Sequence, residues 1–480
     1  MALTPPPGRD YRALLPVLAG ALWLAAASPV ALALGLTPGL LLFGGGLAVL
    51  WRVEPTRAYG AVAAGGLLGM LLWLPGLAIT QWWRALDSGL LSAASFLLAG
   101  RAGLELALAP PMAPSPPSGW RSEAKAALDQ ALVAYFSGTA AIPGGQRLAT
   151  LPQRLSVLVD ALDDPAVAQA LTAAPPAPPH SEQRPRRAVG FRFAQITFVS
   201  GFAPPPALGA PPAWLSSTAN ARASAWVLRQ PGPGRPWLLC VHGYRMGLAW
   251  MDLRLFRPAE LFERHGYNLV VPTLPLHGVR RAGRRSGDGY LDGELTDLVY
   301  AQAQALWDLR RWLAWIRVQE PGARIGVVGY SLGGYNAALL AAHEPELEFV
   351  AAGIPVADLT ALLWDHLPLP QRGYLAACGV DRARYRRLLA PVSPLTLPPR
   401  LAAERLAIFA GSADRVVPPA QPLVLARHWG VEVEWFPGGH LTFIGEPAVA
   451  AALRRLRRAA GWEDEAAVTL GAGAAETSRS

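Results

Sequence analysis

The sequence predicts an α/β fold with a mostly parallel sheet, preceded by transmembrane helices. Three observations carry this. Uncharged apolar stretches of about 20 residues, long enough to span a bilayer, crowd the first hundred positions. From about Ala188 onward, short β-forming runs alternate with helical patterns, which implies a parallel sheet with helices on both faces. One run, RIGVVGYSLGGYNAALL from Arg324 to Leu340, passes from strand to helix through a serine flanked by glycines.

The membrane region comes first. Charged residues are 16% and apolar residues 52% of the 480-residue chain. Soluble domains usually carry about 25% charge. Ala13 to Leu34 is apolar throughout, with Arg9 and Arg12 ahead of it. Leu36 to Trp51 is a second stretch, separated by the weak breakers Thr37-Pro38-Gly39. Tyr59 to Thr80 is a third, and Trp82-Trp83-Arg84 reads as an interfacial anchor. Leu86 to Leu108 carries Arg101 and Glu105, so an interfacial or packed amphipathic helix is expected there rather than a span. A cleaved signal peptide is the competing reading of the first stretch, and the later stretches argue against it. The expected location is a membrane, multi-pass, of bacterial inner-membrane type. The side on which the rest of the chain lies depends on the number of spans and stays open.

Residues 1–109 are thus read as membrane-anchoring helices, and 110–187 as proline-rich linkers around a helical segment. The linkers are APPMAPSPPSG, from Ala109, and APPAPPHSEQRPRR, from Ala174. Between them, SEAKAALDQALVAYF and LPQRLSVLVDAL are helical in pattern with no chemistry assigned. Residues 188–462 form the α/β domain, and 463–480 a small, polar tail expected to be disordered. The strand-like runs are FRFAQITFV, SAWVLRQ, WLLCVHG, YNLVVPTL, RIGVVGY, FVAAGIPV, RLAIFAG and VEVEWFPG, eight in all.

The net charge is +9, but Lys125 is the single lysine and the rest of the positive charge is arginine. With abundant Ala, Pro and Gly, that composition follows from a GC-rich coding bias. No basic run interleaved with aromatics is present, so no nucleic-acid partner is read. Cys240 and Cys378 form neither a disulfide framework nor a zinc pattern.

The chemistry lies at the strand ends. Gly329-Tyr330-Ser331-Leu332-Gly333 matches G-x-S-x-G, a tight turn that exposes a strained serine between strand and helix. The pattern alone is cheap in a glycine-rich chain; the strand before it and the helix after it give it weight. A serine needs a base to take its proton, and the base needs a group to orient it. Asp414 follows the strand Leu406 to Ala410, and His440 follows the strand Val431 to Phe436. The order Ser331, Asp414, His440 is that of a nucleophile, an acid and a base. Asp358, after FVAAGIPV, is the reserve acid. The alternatives are an Asx-turn for Asp414 and a surface loop for His440. An oxyanion needs preorganised N–H donors. The expected donors are Leu332, after the serine, and Tyr244, in the loop opened by His242-Gly243. His242 and His277 read as structural.

The segments LLCVHGY, PLHG, GYSLGG, GSADRVVPP and PGGHLTF, in that order and spacing, resemble the α/β-hydrolase superfamily. The resemblance covers about Ala188 to Trp462. It implies an eight-stranded, mostly parallel sheet. It carries the nucleophile, acid and base onto Ser331, Asp414 and His440, and the oxyanion donors onto Tyr244 and Leu332. Leu359 to Glu404 then reads as a cap. The fold hosts esterases, lipases, peptidases and acyltransferases, so the substrate stays open. The expected function is a membrane-anchored serine hydrolase that cleaves a carboxylic ester, such as a lipid or other apolar acyl ester, through an acyl-enzyme. No metal or organic cofactor is implied. The alternatives are a peptidase or acyltransferase with the same triad, or an inactive membrane scaffold. Oligomeric state is not legible.

Overall fold

The computed structural model describes residues 9–25, 28–106, 112–140, 145–367 and 369–462. The tail expected after Trp462 and part of the first linker lie outside these. The chain divides into two compact units. The smaller is Met1–Thr139 with Ala410–Ala420 and Trp435–Glu446, and the larger is the remainder.

In the smaller unit, α1 (Leu14–Leu24), α2 (Pro29–Leu50), α3 (Pro55–Ile79), α4 (Trp82–Leu106) and α5 (Trp120–Thr139) form a bundle. α2, α3 and α4 are each long and apolar enough to cross a membrane. Two boundaries differ from those expected. The stretch Ala13 to Leu34 does not form one helix. α1 ends at Leu24, and Ser28 caps α2 by accepting the Ala31 N–H, with Pro29 in the first turn where its missing N–H costs nothing. Thr37-Pro38-Gly39 breaks nothing, because Pro38 sits inside α2. α4 also reaches spanning length, because Arg101 and Glu105 fall in its last turns, where they pair at 3.0 Å.

Small residues let these helices approach backbone to backbone, as in membrane bundles generally. A Cβ at Gly66 would lie 2.8 Å from the Ser92 carbonyl oxygen, and one at Gly100 only 1.8 Å from that of Glu123. The Trp23 indole donates to Ser92 Oγ at 3.0 Å inside the bundle. Ala127 and Ala131 of α5 belong to the same buried core as Leu42, Val62 and Phe96.

The sheet has nine strands: β1 (Glu182–Ala188), β2 (Phe191–Val199), β3 (Arg222–Leu228), β4 (Trp237–Val241), β5 (Asn268–Thr273), β6 (Ile325–Tyr330), β7 (Phe349–Gly353), β8 (Leu406–Gly411) and β9 (Val433–Phe436). Their order is β1-β2-β3-β5-β4-β6-β7-β8-β9. β5, β4, β6, β7 and β8 run parallel, and β1 to β3 add an antiparallel wing. The expected count was eight. The ninth, β1, comes from the end of the second proline-rich stretch. It pairs with β2 across a tight Val189-Gly190 turn in which both residues have positive φ. Its residues are almost all exposed, so it carries no apolar alternation by which sequence could show it.

The parallel strands β4 to β8 are buried from end to end, as continuous apolar runs in a covered sheet are. Between β7 and β8 the expected cap segment forms α11 (Leu359–His366), α12 (Leu369–Ala377) and α13 (Arg382–Leu389), if α6 (Gly145–Leu162), α7 (Pro165–Leu171), α8 (Ala249–Phe256), α9 (Asp297–Gln319) and α10 (Leu332–His343) are counted before them. α6 packs on α13, where Asp163 pairs with Arg387.

The close approach at Gly100 yields a test. Gly100→Ala forces the α4 and α5 backbones apart, an overpacking cost of about 1–3 kcal/mol. Its detergent-solubilised melting temperature should fall. Gly44→Ala, with open space around the new methyl, should leave it level or higher. Equal melting temperatures for the two would show that the glycine contact is not needed.

Candidate active site

Ser331, the expected nucleophile, lies in the larger unit. β6 delivers the chain to Ser331, which takes φ 59° and ψ −116° before α10 begins. A non-glycine residue rarely occupies this region, and holding one there costs of order 1–3 kcal/mol. The surroundings enforce it. The Ser331 N–H donates to the Gly353 carbonyl at 2.9 Å, and its own carbonyl accepts from Tyr335 at 3.0 Å. The flanking glycines are required by space. A Cβ at Gly329 would lie 2.0 Å from the Gly333 carbonyl oxygen, and one at Gly333 would lie 1.9 Å from that of Val241. The Ser331 hydroxyl does not cap α10, which removes the helix-cap explanation for a serine here.

Leu332 is the first residue of α10. Its N–H belongs to the first turn, where no intrahelical acceptor exists, at the positive end of the helix dipole. The turn after β4 lies alongside: a Cβ at Gly243 would sit 3.5 Å from Ser331 Cβ. Tyr244 follows. Its ring meets His277 edge-on at 5.9 Å and lies 4.9 Å from the Arg245 guanidinium. Arg245 has φ 67°; it donates to Asp292 at 2.8 Å and pairs with Asp288. This ion-pair network pins the turn that carries the Tyr244 N–H. Its residues were not singled out from sequence, because Asp288 and Asp292 lie more than forty positions downstream, in an irregular loop.

His242 engages backbone through both ring nitrogens: Nδ1 with the Gly243 carbonyl at 2.8 Å, and Nε2 with the Leu274 N–H at 3.1 Å. His277 Nδ1 meets the Pro275 carbonyl at 2.8 Å, and burial holds its pKa well down. Asp358 accepts from the Ala361 N–H as the cap of α11, and its other oxygen pairs with Arg386 at 2.8 Å.

Asp414 and His440, the expected acid and base, lie in the smaller unit. Asp414, in the loop after β8, accepts the Val416 and Val417 N–H groups on Oδ1 at 2.9 and 2.8 Å. Its Oδ2 lies 2.7 Å from His440 Nδ1. A carboxylate only accepts, so Nδ1 is the protonated nitrogen and Nε2 carries the lone pair. Both side chains are buried. Burial pulls the His440 pKa down, but the Asp414 charge and hydrogen bond, aided by the Asp129 charge, outweigh it and raise it above 6.5.

Asp129 of α5 is the group that sequence reading missed. It is fully buried. Its Oδ2 accepts the backbone N–H of His440 at 2.7 Å and of Arg415 at 3.0 Å, and its Oδ1 that of Leu441 at 3.3 Å. Burial and the Asp414 charge push its pKa up to about 7, against the lowering pull of His440 and of those N–H groups. An acid whose pKa is raised by folding binds more protons folded than unfolded. Its contribution to stability therefore declines as pH rises from about 4 to about 7. The available signal was one carboxylate on the alanine-lined stripe formed by Ala126, Ala127 and Ala131. A helix pattern cannot say which loops that stripe will meet.

Residues 236–377 match the family model described as alpha/beta hydrolase fold. Two curated relatives, uncharacterized proteins from two strains of Mycobacterium tuberculosis, are each 42% identical over 275 residues. The match covers 55% of this chain and 64% of theirs, so the chain spans less than two thirds of their length. Among solved structures, an acetyl xylan esterase from a Thermoanaerobacterium species aligns at 17% identity and TM-score 0.41, over 66% of this chain and 99% of its own. A Pyrococcus horikoshii acylaminoacyl peptidase aligns at 15% and 0.33, over 57% and 40%.

The strain at residue 331 is testable by stability alone. Glycine tolerates this φ, so Ser331→Gly should be more stable than Ser331→Ala by about 1 kcal/mol in thermal unfolding. A more stable alanine variant would mean that the turn is not strained.

Proposed function

We propose that this protein is a serine hydrolase of the α/β-hydrolase superfamily, whose fold model its residues 236–377 match, and that it cleaves a carboxylic ester at Ser331. The observation that carries the reading is the Ser331 backbone, held at φ 59° between a strand end and a helix N-terminus. The fold gains nothing from that strain, and a nucleophile gains exposure. The Asp414–His440 hydrogen bond supports it, since it leaves Nε2 free of a proton.

In this reading His440 Nε2 takes the Ser331 proton as Oγ adds to the acyl carbon. The oxyanion is held by the Leu332 and Tyr244 N–H groups. Collapse breaks the bond to the leaving alcohol, which receives the proton from His440. Water then gives a proton to Nε2 and adds to the acyl-enzyme. The acid departs, and Ser331 regains its proton. Asp414 stabilises the transient imidazolium. Anchoring by α2, α3 and α4 would place this chemistry near a membrane and favours a lipid or other apolar ester. Leu362, Leu363 and Trp364 of α11 are half-buried and suit an acyl-chain pocket under the cap. The same residues would serve a peptidase or an acyltransferase, which a screen of acyl acceptors separates.

The direct test is labelling by a fluorophosphonate probe in detergent. Wild type should label, and Ser331→Ala should not. Asp414→Asn should label about 10⁴-fold more slowly, as expected when the base is held in the wrong tautomer. Labelling that survives Ser331→Ala, or folded wild type that never labels, rejects the reading. The base must be neutral to act, so kcat/KM should fall as pH drops through the raised His440 value, with a midpoint above 6.5. A midpoint clearly below 6.5 would contradict the assignment of His440.

A further inference from the structure

We propose that Asp129 is a positioning residue for the His440 base, and that through it the N-terminal helices hold the acid–base pair in register. The inference rests on the triad reading above. It is argued from the smaller unit alone, which contains the bundle, the Asp414 loop and the His440 loop.

Asp129 receives N–H groups from both loops: His440 and Leu441 from one, Arg415 from the other. The donors adjoin the two functional side chains, being the backbone of the base itself and of the residue after the acid. The fit is tight, since a Cβ at Gly439 would lie 2.6 Å from Asp129 Oδ2. One turn earlier on α5, Lys125 donates to the Pro437 carbonyl at 3.0 Å and pairs with Glu446 at 3.4 Å. Arg415 also reaches back to the Gly103 carbonyl of α4 at 3.3 Å. α5 is in turn seated on α4, where a Cβ at Gly100 or Gly103 would strike Glu123 or Gln130. The path from the apolar helices to the base is therefore a chain of direct contacts.

A salt bridge for solubility or a helix cap would not be fully buried, nor would it gather donors from two distant loops. A carboxylate collecting backbone N–H groups fixes main chain, and main-chain position sets where the imidazole points. Its charge also acts on the base. The charged groups that act on Asp129 are Asp414, His440 and Arg415, and the Asp129 charge favours protonated His440.

The experiment uses the full chain in detergent, with Asp129→Asn and Asp129→Ala compared with wild type. The first readout is hydrogen exchange over residues 437–446, which needs no activity. Both variants should lose protection there while α2 and α3 stay protected. The second is fluorophosphonate labelling against pH. Asp129→Ala should label about 100-fold more slowly, as expected for a base displaced by about 1 Å. Asp129→Asn keeps an acceptor oxygen but loses the charge, so it should label faster than Asp129→Ala, with its acid limb shifted to lower pH. A merely structural carboxylate would leave that limb in place. Wild-type protection and an unmoved acid limb in Asp129→Asn would overturn the proposal. If wild type does not label but the loop still loosens in both variants, the hydrolase reading fails and the clamp stands.

Discussion

A carboxylate sealed from water must find its hydrogen-bond donors within the protein, and Asp129 finds them in two loops 286 and 311 residues downstream. Leaving such a group unpaired costs about 1–3 kcal/mol, and more when it is charged. That constraint runs in both directions. The loops after β8 and β9 must present their N–H groups to α5, and α5 must sit where they can reach it. Helix seating by glycine contacts at Gly100 and Gly103 meets the second condition. The N-terminal helices and the loops that carry Asp414 and His440 consequently form one compact unit, although they stand far apart in the chain.

Ser331 obeys a different constraint, that of backbone crowding. β6 must turn into α10 within one residue, and carbonyl oxygens of Gly333 and Val241 occupy the space where side chains at 329 and 333 would go. Two glycines relieve the crowding, and Ser331 absorbs the remaining strain. The turn after β4 is held differently, by the buried guanidinium of Arg245 against Asp288 and Asp292. Backbone geometry on one side and an ion-pair network on the other fix the Leu332 and Tyr244 N–H groups, which we propose as the oxyanion donors.

The two devices share a logic. In each, a group whose position matters is fixed through its main chain by partners remote in sequence. Side-chain flexibility then has little room to blur the geometry, which suits a reaction in which misplacement by about 1 Å is costly.

Much of this was legible in the sequence, for a physical reason. β4 to β8 are buried throughout, so they read as apolar runs, and the elbow demands glycines at fixed offsets from Ser331. Both signals are local. The breaks of the N-terminal helices were less legible, because apolarity alone does not locate a cap: α1 ends at Leu24 and Ser28-Pro29 starts α2, whereas Pro38 is absorbed. β1 was invisible because its side chains face solvent and its identity lies in pairing with β2. Asp129 and the Arg245 network were invisible for the same reason, since each is defined by partners far along the chain. The sequence by itself determined the parallel strands β4 to β8 and the glycine-flanked turn at Ser331, because both signals are local. Tertiary structure alone decided that Asp129 meets the His440 loop, because burial and long-range donors exist only once the helices have packed.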